Sequence, residues 1–395
     1  MSMSPSARPS GSSRRTMTIL LCIAVFMYWI SLYLYAPTLP TYVESKVDNL
    51  ASVGIVLSMY GLWQAIIRFP LGIVADWVGR RKPFVIAGLA LGGLGAWMLA
   101  VAHGTGALVT ARAITGLAAG TWVPLVVMFS SLFPPEDAVR ASALLTFIGG
   151  VGRILATGVT GALNNWIGYA FAFYLAAGAA VIAILTILPA REQAQPPKAP
   201  SLGSLAQLLS RRDVLLPSLL SMVHQYGNWA TTFAFVPLLA QRLGATDVTL
   251  SALLSFNIAV VTLGNLVATA VVRRIGARRM VFLSYVVLAV GTAAAAFASS
   301  LVAIFALQFL IGISNGIGYP VLMGMSIREV EETQRGTAMG FHQAVYAIGM
   351  FAGPALSGVL ADQWGLSPMF LITAVACLVL GLAGTRLLEP ERRAH

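Results

Sequence analysis

The amino-acid sequence predicts an all-α membrane protein with twelve transmembrane helices in two six-helix bundles. Of its 395 residues, 58% are hydrophobic and 10% are charged. Soluble domains carry about 25% charged residues, so this chain has too few charges to cover a surface that faces water. Its uncharged stretches reach the roughly 20 residues that a helix needs to cross the hydrocarbon core. The chain also repeats itself once along its length, which predicts two similar bundles.

The uncharged stretches define the twelve predicted spans. The first, residues 16–43, is too long for the core of a signal peptide, so we expect it to remain in the mature protein. The later stretches are 49–75, 83–110, 113–135, 141–190, 214–241, 248–272, 280–327, 336–361 and 363–385. Residues 141–190 and 280–327 are long enough for two helices each, with turns expected near 164–168 and 298–301, and a further turn is expected at 103–106.

The predicted spans divide the chain into five segments. We expect a disordered N-terminal tail at 1–15, a six-helix bundle at 16–190, a linker at 191–213, a second six-helix bundle at 214–387 and a C-terminal tail at 388–395. The linker carries Leu202, Leu205, Leu208 and Leu209 at helical spacing, followed by two arginines. This pattern predicts a short amphipathic helix on the inner membrane surface.

The distribution of basic residues predicts the orientation in the membrane. Of 25 Lys and Arg residues, 20 lie in the tails and loops on the side of the two termini, two lie in the opposite loops and three lie within spans. By the positive-inside rule, both termini and the linker should be cytoplasmic. We expect the protein to lie in a bacterial inner membrane. The formal net charge of +11 therefore reflects the cytoplasmic loops, and we expect no nucleic-acid partner. We also expect the protein to be a monomer in the lipid bilayer.

The two halves repeat at an offset of 196 or 197 residues. The matching positions are Pro40 with Pro237, Arg112 with Gln308, Gly116 with Gly312, Gly120 with Gly316, Pro124 with Pro320, Gly161 with Gly358, Gly168 with Gly365 and Phe173 with Phe370. Glycines such as Gly116, Gly161 and Gly358 are expected to let helices pack closely. Six spans repeated in tandem are typical of transporters.

The loop after the second span carries a specific motif, Gly72-x3-Asp76-x2-Gly79-Arg80-Arg81-Lys82. It resembles the signature of this loop in the major facilitator superfamily of transporters. The resemblance implies a gate. We expect Asp76 to accept hydrogen bonds from a helix N-terminus in the other half, and Arg80 and Arg81 to bridge to acidic groups, which would hold the cytoplasmic side closed.

A second motif narrows the resemblance. The fourth span contains Arg112-Ala-Ile-Thr-Gly116-Leu-Ala-Ala-Gly120, which looks like a motif of the superfamily's drug:proton antiporter branch. The Gly-Pro pattern of that branch is absent from the fifth span and appears as Gly353-Pro354 in the eleventh. The resemblance implies a proton-coupled exporter that works by alternating access. Its substrates would be drugs or small metabolites, a class that includes metal-chelating metabolites.

The arginines within spans point to the chemistry of the substrate. An Arg at the centre of a span costs about 2.5–3.5 kcal/mol on insertion scales, so Arg112 and Arg153 should face a polar cavity or hydrogen-bond to carbonyl groups nearby. Arg68 lies near the inner end of its span and is expected to extend its guanidinium to the membrane surface. All fourteen acidic residues lie in loops, tails or span ends. A cavity with guanidinium groups and no carboxylate favours a neutral or anionic substrate, which Arg can bind bidentately.

Further polar side chains are predicted to line a cavity at mid-membrane together with Arg112 and Arg153. They are Tyr28, Ser31, Tyr35, His224, Asn228, Gln308, Asn315, His342, Gln343 and Tyr346. Each of them alone could equally bond a neighbouring helix. With no carboxylate in the spans, His224 and His342 are the groups expected to carry a coupling proton, because imidazole titrates near neutral pH.

Other classes of function fit less well. A membrane-embedded enzyme needs a catalytic constellation that these spans lack, and a static channel does not account for the tandem repeat with a gate motif. Import of a small organic anion remains open. The two cysteines, Cys22 and Cys377, lie in apolar runs, so no disulfide framework, metal site or cofactor is expected.

Overall fold

The computed structural model describes residues 11–133, 137–190, 192, 207–331 and 334–388. This part of the chain is helical and contains no strand. Within it, eleven helices are long and apolar enough to cross a membrane. The predicted fold is confirmed: these described residues form twelve transmembrane helices, TM1 to TM12, in two six-helix bundles.

The first bundle contains TM1 to TM6. TM1 is the helix Gly11–Tyr33, followed by the short helix Leu39–Glu44. TM2 is Leu50–Val78, TM3 is Lys82–Val101, TM4 is Gly104–Ala119 with Trp122–Ser130, TM5 is Ala138–Trp166 and TM6 is Tyr169–Ile187.

The second bundle contains TM7 to TM12. TM7 is Arg212–Ala230, continued by a π-helical turn at Thr231–Phe235 and the helix Val236–Arg242. TM8 is Asp247–Ile275, TM9 is Ala277–Ala295, TM10 is Leu301–Arg328, TM11 is Arg335–Trp364 and TM12 is Leu366–Leu387. Consecutive helices are separated at 102–103, 167–168 and 296–300, close to the turns expected at 103–106, 164–168 and 298–301, although residues 104–106 and 164–166 are helical.

Prolines account for the interruptions in TM1, TM4 and TM7. A proline ring clashes with the carbonyl group four residues earlier in a helix and has no N–H to donate. Pro124 places this clash at Gly120, where TM4 is interrupted, and Pro237 places it inside the π-helical turn of TM7. In TM1 the break precedes Leu39, next to Pro37 and Pro40. TM7 is the span that falls outside the eleven apolar helices, because its first segment carries many polar side chains.

The repeat in the sequence has a counterpart in the structure. Lys82 begins TM3 and donates from Nζ to the carbonyl oxygen of Ala190 at 2.8 Å. Arg278 stands 196 residues later, near the start of TM9, and donates to the carbonyl oxygen of Arg386 at 3.2 Å, itself 196 residues after Ala190. The same contact therefore closes the end of the last helix in both bundles.

We call the end of the molecule that holds Gly11 and Leu387 the terminus face, and the opposite end the far face. Polar contacts among the described residues join the two bundles at the far face. They include the ion pair of Glu44 with Arg242 at 3.5 Å, the hydrogen bond from the Leu50 amide to Asp362 at 3.2 Å, and the hydrogen bonds from Asn164 and Tyr169 to Asp247, both at 3.0 Å. The structure is thus closed at the far face.

Two helix pairs, TM2 with TM11 and TM5 with TM8, form the seams between the bundles. Glycines bring the backbones together there. A Cβ at Gly54 would lie 2.3 Å from the carbonyl oxygen of Pro354, and one at Gly161 would lie 2.3 Å from that of Asp247. Both positions require glycine because only a hydrogen atom fits between the helices.

The predicted linker and tails are largely outside the described residues. Residues 207–210 are helical. Leu208, one member of the predicted leucine stripe, is buried beside Val214 and Val330. Leu202 and Leu205 lie outside the described part of the chain.

Candidate functional site

A small cavity of about 20 Å³ lies between the two bundles, and we call it the central cavity. It receives residues from TM1, TM2, TM4 and TM7. They are Leu32, Tyr33, Tyr35, Ala36, Leu39, Leu57, Tyr60, Arg112, Trp229 and Phe233. Two of the predicted site residues, Tyr35 and Arg112, therefore meet in one place, opposite aromatic rings of the other half.

Arg112 is the charged group of the central cavity. Its guanidinium carbon lies 4.6 Å from the centroid of the Tyr60 ring, a cation–π geometry, and Nη1 donates to Thr115 Oγ1 at 3.3 Å. Its Nε is buried without a hydrogen-bond partner. Gly116 explains the position, since a Cβ there would lie 2.8 Å from the carbonyl oxygen of Tyr60. This close contact of TM4 with TM2 sets Arg112 over the Tyr60 ring.

Aromatic rings from both halves enclose the central cavity. Tyr60 stacks on Trp229 at 5.3 Å between ring centroids, and Trp229 stacks on Phe233 at 4.5 Å. The ring of Tyr33 meets Phe233 edge to face at 6.5 Å. Sequence reasoning missed these four residues. The four-residue spacing of Trp229 and Phe233, which puts both rings on one face of TM7, was the signal that could have found two of them.

Arg153 does not line the central cavity but contacts Tyr33, which does. Its guanidinium carbon is 4.8 Å from the Trp29 ring and 5.9 Å from the Tyr33 ring, and Nε donates to the carbonyl oxygen of Gly149 at 3.2 Å. TM5 can approach Trp29 this closely because Gly149 has no side chain. A Cβ at Gly149 would lie 2.6 Å from Trp29 Nε1. Arg153 is half-buried and packs within the first bundle.

The expectation for Arg68 is wrong. Its guanidinium does not reach the membrane surface but is buried between the bundles, where Nη1 donates to the hydroxyl of Tyr346 in TM11. The reason is that TM2 continues for ten residues beyond Arg68 to Val78, about 15 Å of helix, and TM11 covers it, with Phe69 against Phe341 at 6.3 Å. The Nε of Arg68 is buried without a partner.

No carboxylate among the described residues pairs with Arg68, Arg112 or Arg153. The ion pairs of the described chain lie at helix ends instead: Arg211 with Asp213, Arg242 with Glu44 and Arg328 with Glu329. The three intramembrane arginines contact aromatic rings, hydroxyl groups and one carbonyl oxygen. Their positive charge is therefore not neutralised by the part of the protein that the structure describes.

The predicted residues of TM1 divide between the cavity and the first bundle. Tyr28 donates from its hydroxyl to the carbonyl oxygen of Ala119 at 3.1 Å. Ser31 is buried beside Gly92 of TM3, with its hydroxyl unpartnered. Tyr35 lines the central cavity, and its hydroxyl also lacks a partner.

The two predicted histidines, His224 and His342, lie between helices of the second bundle. His224 Nε2 is 2.9 Å from Ser314 Oγ, which itself donates to the carbonyl oxygen of Ser284 at 2.6 Å, so Nε2 carries the hydrogen. His342 Nδ1 lies 3.1 Å from the hydroxyl of Ser218, and its Nε2 lies 3.0 Å from that of Ser221. Both imidazoles are buried and bonded to serines.

The remaining predicted residues of the second bundle differ in their bonding. Gln308 Oε1 accepts from Thr232 at 3.1 Å and from Asn257 at 2.9 Å, which ties TM10 to TM7 and TM8. Asn228, Asn315 and Gln343 each keep a buried side-chain oxygen without a hydrogen-bond partner. Tyr346 accepts from Arg68 and packs edge to face on Tyr319 at 5.7 Å.

The gate motif forms a compact turn at the terminus face. Gly79 ends TM2 with φ +69, a left-handed conformation that favours glycine. The amides of Arg81 and Lys82 donate to the two carboxylate oxygens of Glu192 at 2.5 and 2.9 Å. The sequence analysis missed Glu192, although an acid directly after TM6 was a visible signal.

The other members of the motif are placed as follows. Arg80 is exposed and Arg81 is buried. A Cβ added at Gly72 would lie 3.9 Å from a methyl group of Val123. The side chain of Asp76 lies outside the described part of the structure. Its expected contact with the other half therefore stays a prediction.

Twelve membrane-spanning helices in two repeated bundles, with a polar site between them, define a multi-pass membrane transporter. The profile of the Major Facilitator Superfamily matches residues 21–227 and again residues 217–395. The chain belongs to the major facilitator superfamily, whose members are transporters and not enzymes. This result confirms the resemblance that the loop motif indicated.

Relatives and solved structures agree with this family. The chain is 20% identical over 385 residues to the uncharacterized MFS-type transporter MJ1560 of Methanocaldococcus jannaschii, covering 91% of this chain and 96% of that protein. It is 26% identical over 162 residues to the quinolone resistance protein NorA of Staphylococcus aureus, and this match spans 41% of each protein.

Two solved structures share the fold. The nucleoside transporter NupG has a TM-score of 0.78 at 19% identity, over 95% of this chain and 100% of that one. A bacterial homolog of the human lysosomal transporter Spinster, in an inward-facing and unoccupied conformation, has a TM-score of 0.80 at 15% identity, over 96% of this chain and 97% of that one. At these identities the likeness shows the fold alone.

Proposed function

We propose that this transporter is a proton-coupled exporter of a small anionic or zwitterionic metabolite or drug, a metal-chelating metabolite being one such compound. The observation that carries the proposal is Arg112. It is buried in a cavity between the two bundles, it rests on the Tyr60 ring, and one of its N–H groups has no partner. No described carboxylate neutralises it.

The physical argument concerns the cost of a buried charge. A guanidinium removed from water loses its hydration and regains that free energy only from an opposite charge or from several hydrogen bonds. Arg112 has one side-chain hydrogen bond, to Thr115, one aromatic contact, with Tyr60, and the neutral hydroxyl of Tyr35 beside it. A substrate carboxylate or phosphate would supply the missing partner bidentately, whereas an organic cation would be repelled.

The aromatic lining fits a substrate with an apolar part. Tyr60, Trp229 and Phe233 offer ring faces around the guanidinium. NorA, a relative over 41% of this chain, is named for quinolone resistance. Export of an organic acid with an apolar part agrees with both the charge and the rings of the site.

Transport by alternating access requires the contacts at the far face to open. In the present conformation the ion pair Glu44–Arg242 and the TM2–TM11 and TM5–TM8 seams hold that face closed. We propose that Asp76 and the turn at Gly79 act as the gate of the terminus face, in the inner membrane with both termini cytoplasmic. The protein is proposed to act as a monomer.

Protonation of a buried histidine is the proposed coupling step. His342 touches both Ser218 and Ser221, and His224 touches Ser314, so a proton on either ring would reorder hydroxyl groups between TM7 and its neighbours. These hydrogen bonds join TM7 to TM10 and TM11. A change in the charge of the imidazole would therefore change how these helices of the second bundle pack.

Metabolite profiling tests the proposal. Cells that express the wild type, Arg112→Gln, or Arg274→Gln as an exposed-arginine control are compared with cells lacking the protein, and acids are measured in medium and cytosol. We expect an organic acid to accumulate in the medium with the wild type and the control, but not with Arg112→Gln. Accumulation in the cytosol would instead favour the alternative, an importer of a small organic anion. Export of a cation that survives Arg112→Gln would refute the anion site.

A further inference from the structure

TM2 carries buried polar groups beyond Tyr60, and two of them, Gln64 and Arg68, are not used by the proposed site. Tyr60, Gln64 and Arg68 follow one another at intervals of four residues, so they lie along one side of the helix. They are 7%, 1% and 6% exposed, respectively, which places all three inside the protein. We call these three residues the TM2 stripe.

The TM2 stripe is short of hydrogen-bond partners. Both amide atoms of Gln64 and the Nε of Arg68 are buried without any partner. A buried polar group left unpaired costs about 1–3 kcal/mol, and more if it is charged. Gln343 of TM11, three residues before Tyr346, adds a further unpaired amide oxygen. So many unpaired atoms between two bundles of a transporter indicate a ligand that binds there.

The stripe has a cation at each end. At one end the Arg112 guanidinium lies over the Tyr60 ring, and at the other Arg68 donates to the Tyr346 hydroxyl. Tyr60 and Arg68 are eight residues apart, so their Cα atoms are separated by about 12 Å along the helix. Gln64 lies midway between them and offers one donor group and one acceptor.

We propose that Arg68 is a second anion-binding position and that the substrate is an elongated organic dianion. One acid group binds Arg112 over the Tyr60 ring and the other binds Arg68, two residues of TM2 whose Cα atoms are about 12 Å apart along the helix marking the span between them. Gln64 hydrogen-bonds a polar group between them. This inference rests on the proposed function, because it takes Arg112 as the first anion contact. It adds the length and charge of the substrate.

Binding of an acid group at Arg68 would affect the contact between the bundles, because Arg68 is hydrogen-bonded to Tyr346. This bond joins TM2 of one bundle to TM11 of the other. An acid group that binds Arg68 competes with the neutral hydroxyl, because a carboxylate carries the opposite charge and can accept two parallel hydrogen bonds from the guanidinium, which a hydroxyl cannot. Binding of the dianion therefore removes one of the contacts between the bundles.

A series of α,ω-alkanedioates measures the distance between the two positions. The purified full-length protein in lipid nanodiscs is titrated with succinate, adipate, decanedioate and tetradecanedioate, and with the monoamide of each acid as the singly charged match. We expect affinity to be highest for decanedioate, the member whose length suits the stripe. It should exceed that of its monoamide at least about tenfold, the effect of one charge-assisted contact.

Variants separate the inference from a structural role of Arg68. Arg68→Gln should bind decanedioate and its monoamide equally, while keeping the monoamide affinity of the wild type. Tyr346→Phe should raise the affinity for decanedioate, since Arg68 is then free of its competing partner. Arg274→Gln, an exposed arginine of TM8 outside the site, should change neither affinity. If Arg68→Gln does not fold, Arg68→Lys and Tyr346→Phe carry the test, and the lysine variant should lose most of the preference.

The outcomes distinguish this inference from the proposed function. If Arg112→Gln lowers binding of every acid but Arg68→Gln keeps the preference for decanedioate, the second anion position is refuted and the proposed site stands. If the wild type binds no dianion more tightly than its monoamide, the inference is also refuted. If Arg112→Gln leaves all binding unchanged, the proposed anion site itself is wrong.

Discussion

Gly54 tests how the bundles close at the far face. An alanine Cβ at this position would lie 2.3 Å from the carbonyl oxygen of Pro354 and 2.8 Å from the Cα of Gly358, both in TM11. Both neighbours are backbone atoms, so no side-chain rotation can relieve the clash. Gly54→Ala should therefore raise the free energy of the conformation that is closed at the far face.

The size of the effect follows from the cost of overpacking. Extra methylene groups in a well-packed interior cost about 1–3 kcal/mol. The clash exists while TM2 and TM11 touch and disappears when the far face opens. The equilibrium should therefore shift toward the open conformation about 5- to 150-fold, since 1.4 kcal/mol corresponds to a factor of ten.

Thiol labelling measures this shift. Leu57 lines the central cavity and is 2% exposed, so Leu57→Cys reports opening when the native Cys22 and Cys377 are replaced. The labelling rate should rise within the stated range in Gly54→Ala. Gly340→Ala is the matched control, because a Cβ at Gly340 meets nothing within 4 Å.

Stability must be measured in parallel. Gly116 packs within the first bundle, where an added Cβ would lie 2.8 Å from the carbonyl oxygen of Tyr60, so Gly116→Ala should lower the melting temperature without favouring either conformation. An unchanged labelling rate in a folded Gly54→Ala protein would refute the reasoning. The close approach of TM2 and TM11 would then not stabilise the closed far face.

Three further predictions concern the gate, the coupling proton and the topology. Asp76→Asn should leave the protein in the membrane but strongly reduce transport, through loss of charge-assisted contacts at the terminus face; transport at the wild-type rate would contradict the gate. In liposomes, His342→Gln should keep exchange of substrate but lose the part driven by a pH gradient, whereas transport by the wild type that ignores the gradient would exclude proton coupling. Single cysteines at Lys46 and Arg242 should react with an impermeant thiol reagent in intact cells and one at Lys198 should not; the reverse pattern would overturn the orientation.

The number and order of the spans were predictable because hydrophobic length is a local property of the sequence. The predicted span at 214–241 corresponds to TM7, whose helix, π-helical turn and second helix end at Arg242. The breaks within spans were not predicted. They depend on proline clashes, as at Pro124 and Pro237, that a count of apolar residues does not register.

The site was predictable only in part, because sequence shows which residues are polar but not which seam each one faces. Arg112 and Tyr35 both line the central cavity, and their contact with a substrate stays a prediction. Arg68 was misjudged because its depth depends on TM11, a helix nearly 280 residues away that covers TM2. Gln64 was passed over for the same reason, since nothing near it in the sequence shows that its amide is unpaired.

The central claim is that Arg112 binds an anionic group of the substrate, and a comparison of acids with their amides tests it most directly. Aromatic and aliphatic carboxylic acids, each paired with its neutral amide, are added to the purified wild type and to Arg112→Lys, and the shift in melting temperature is recorded. A ligand that binds the folded state stabilises it in proportion to its affinity. The account predicts that some acids stabilise the wild type, that their amides do not, and that Arg112→Lys loses the effect because lysine cannot bind bidentately. Equal stabilisation by acids and amides, or an unchanged response in Arg112→Lys, would contradict it.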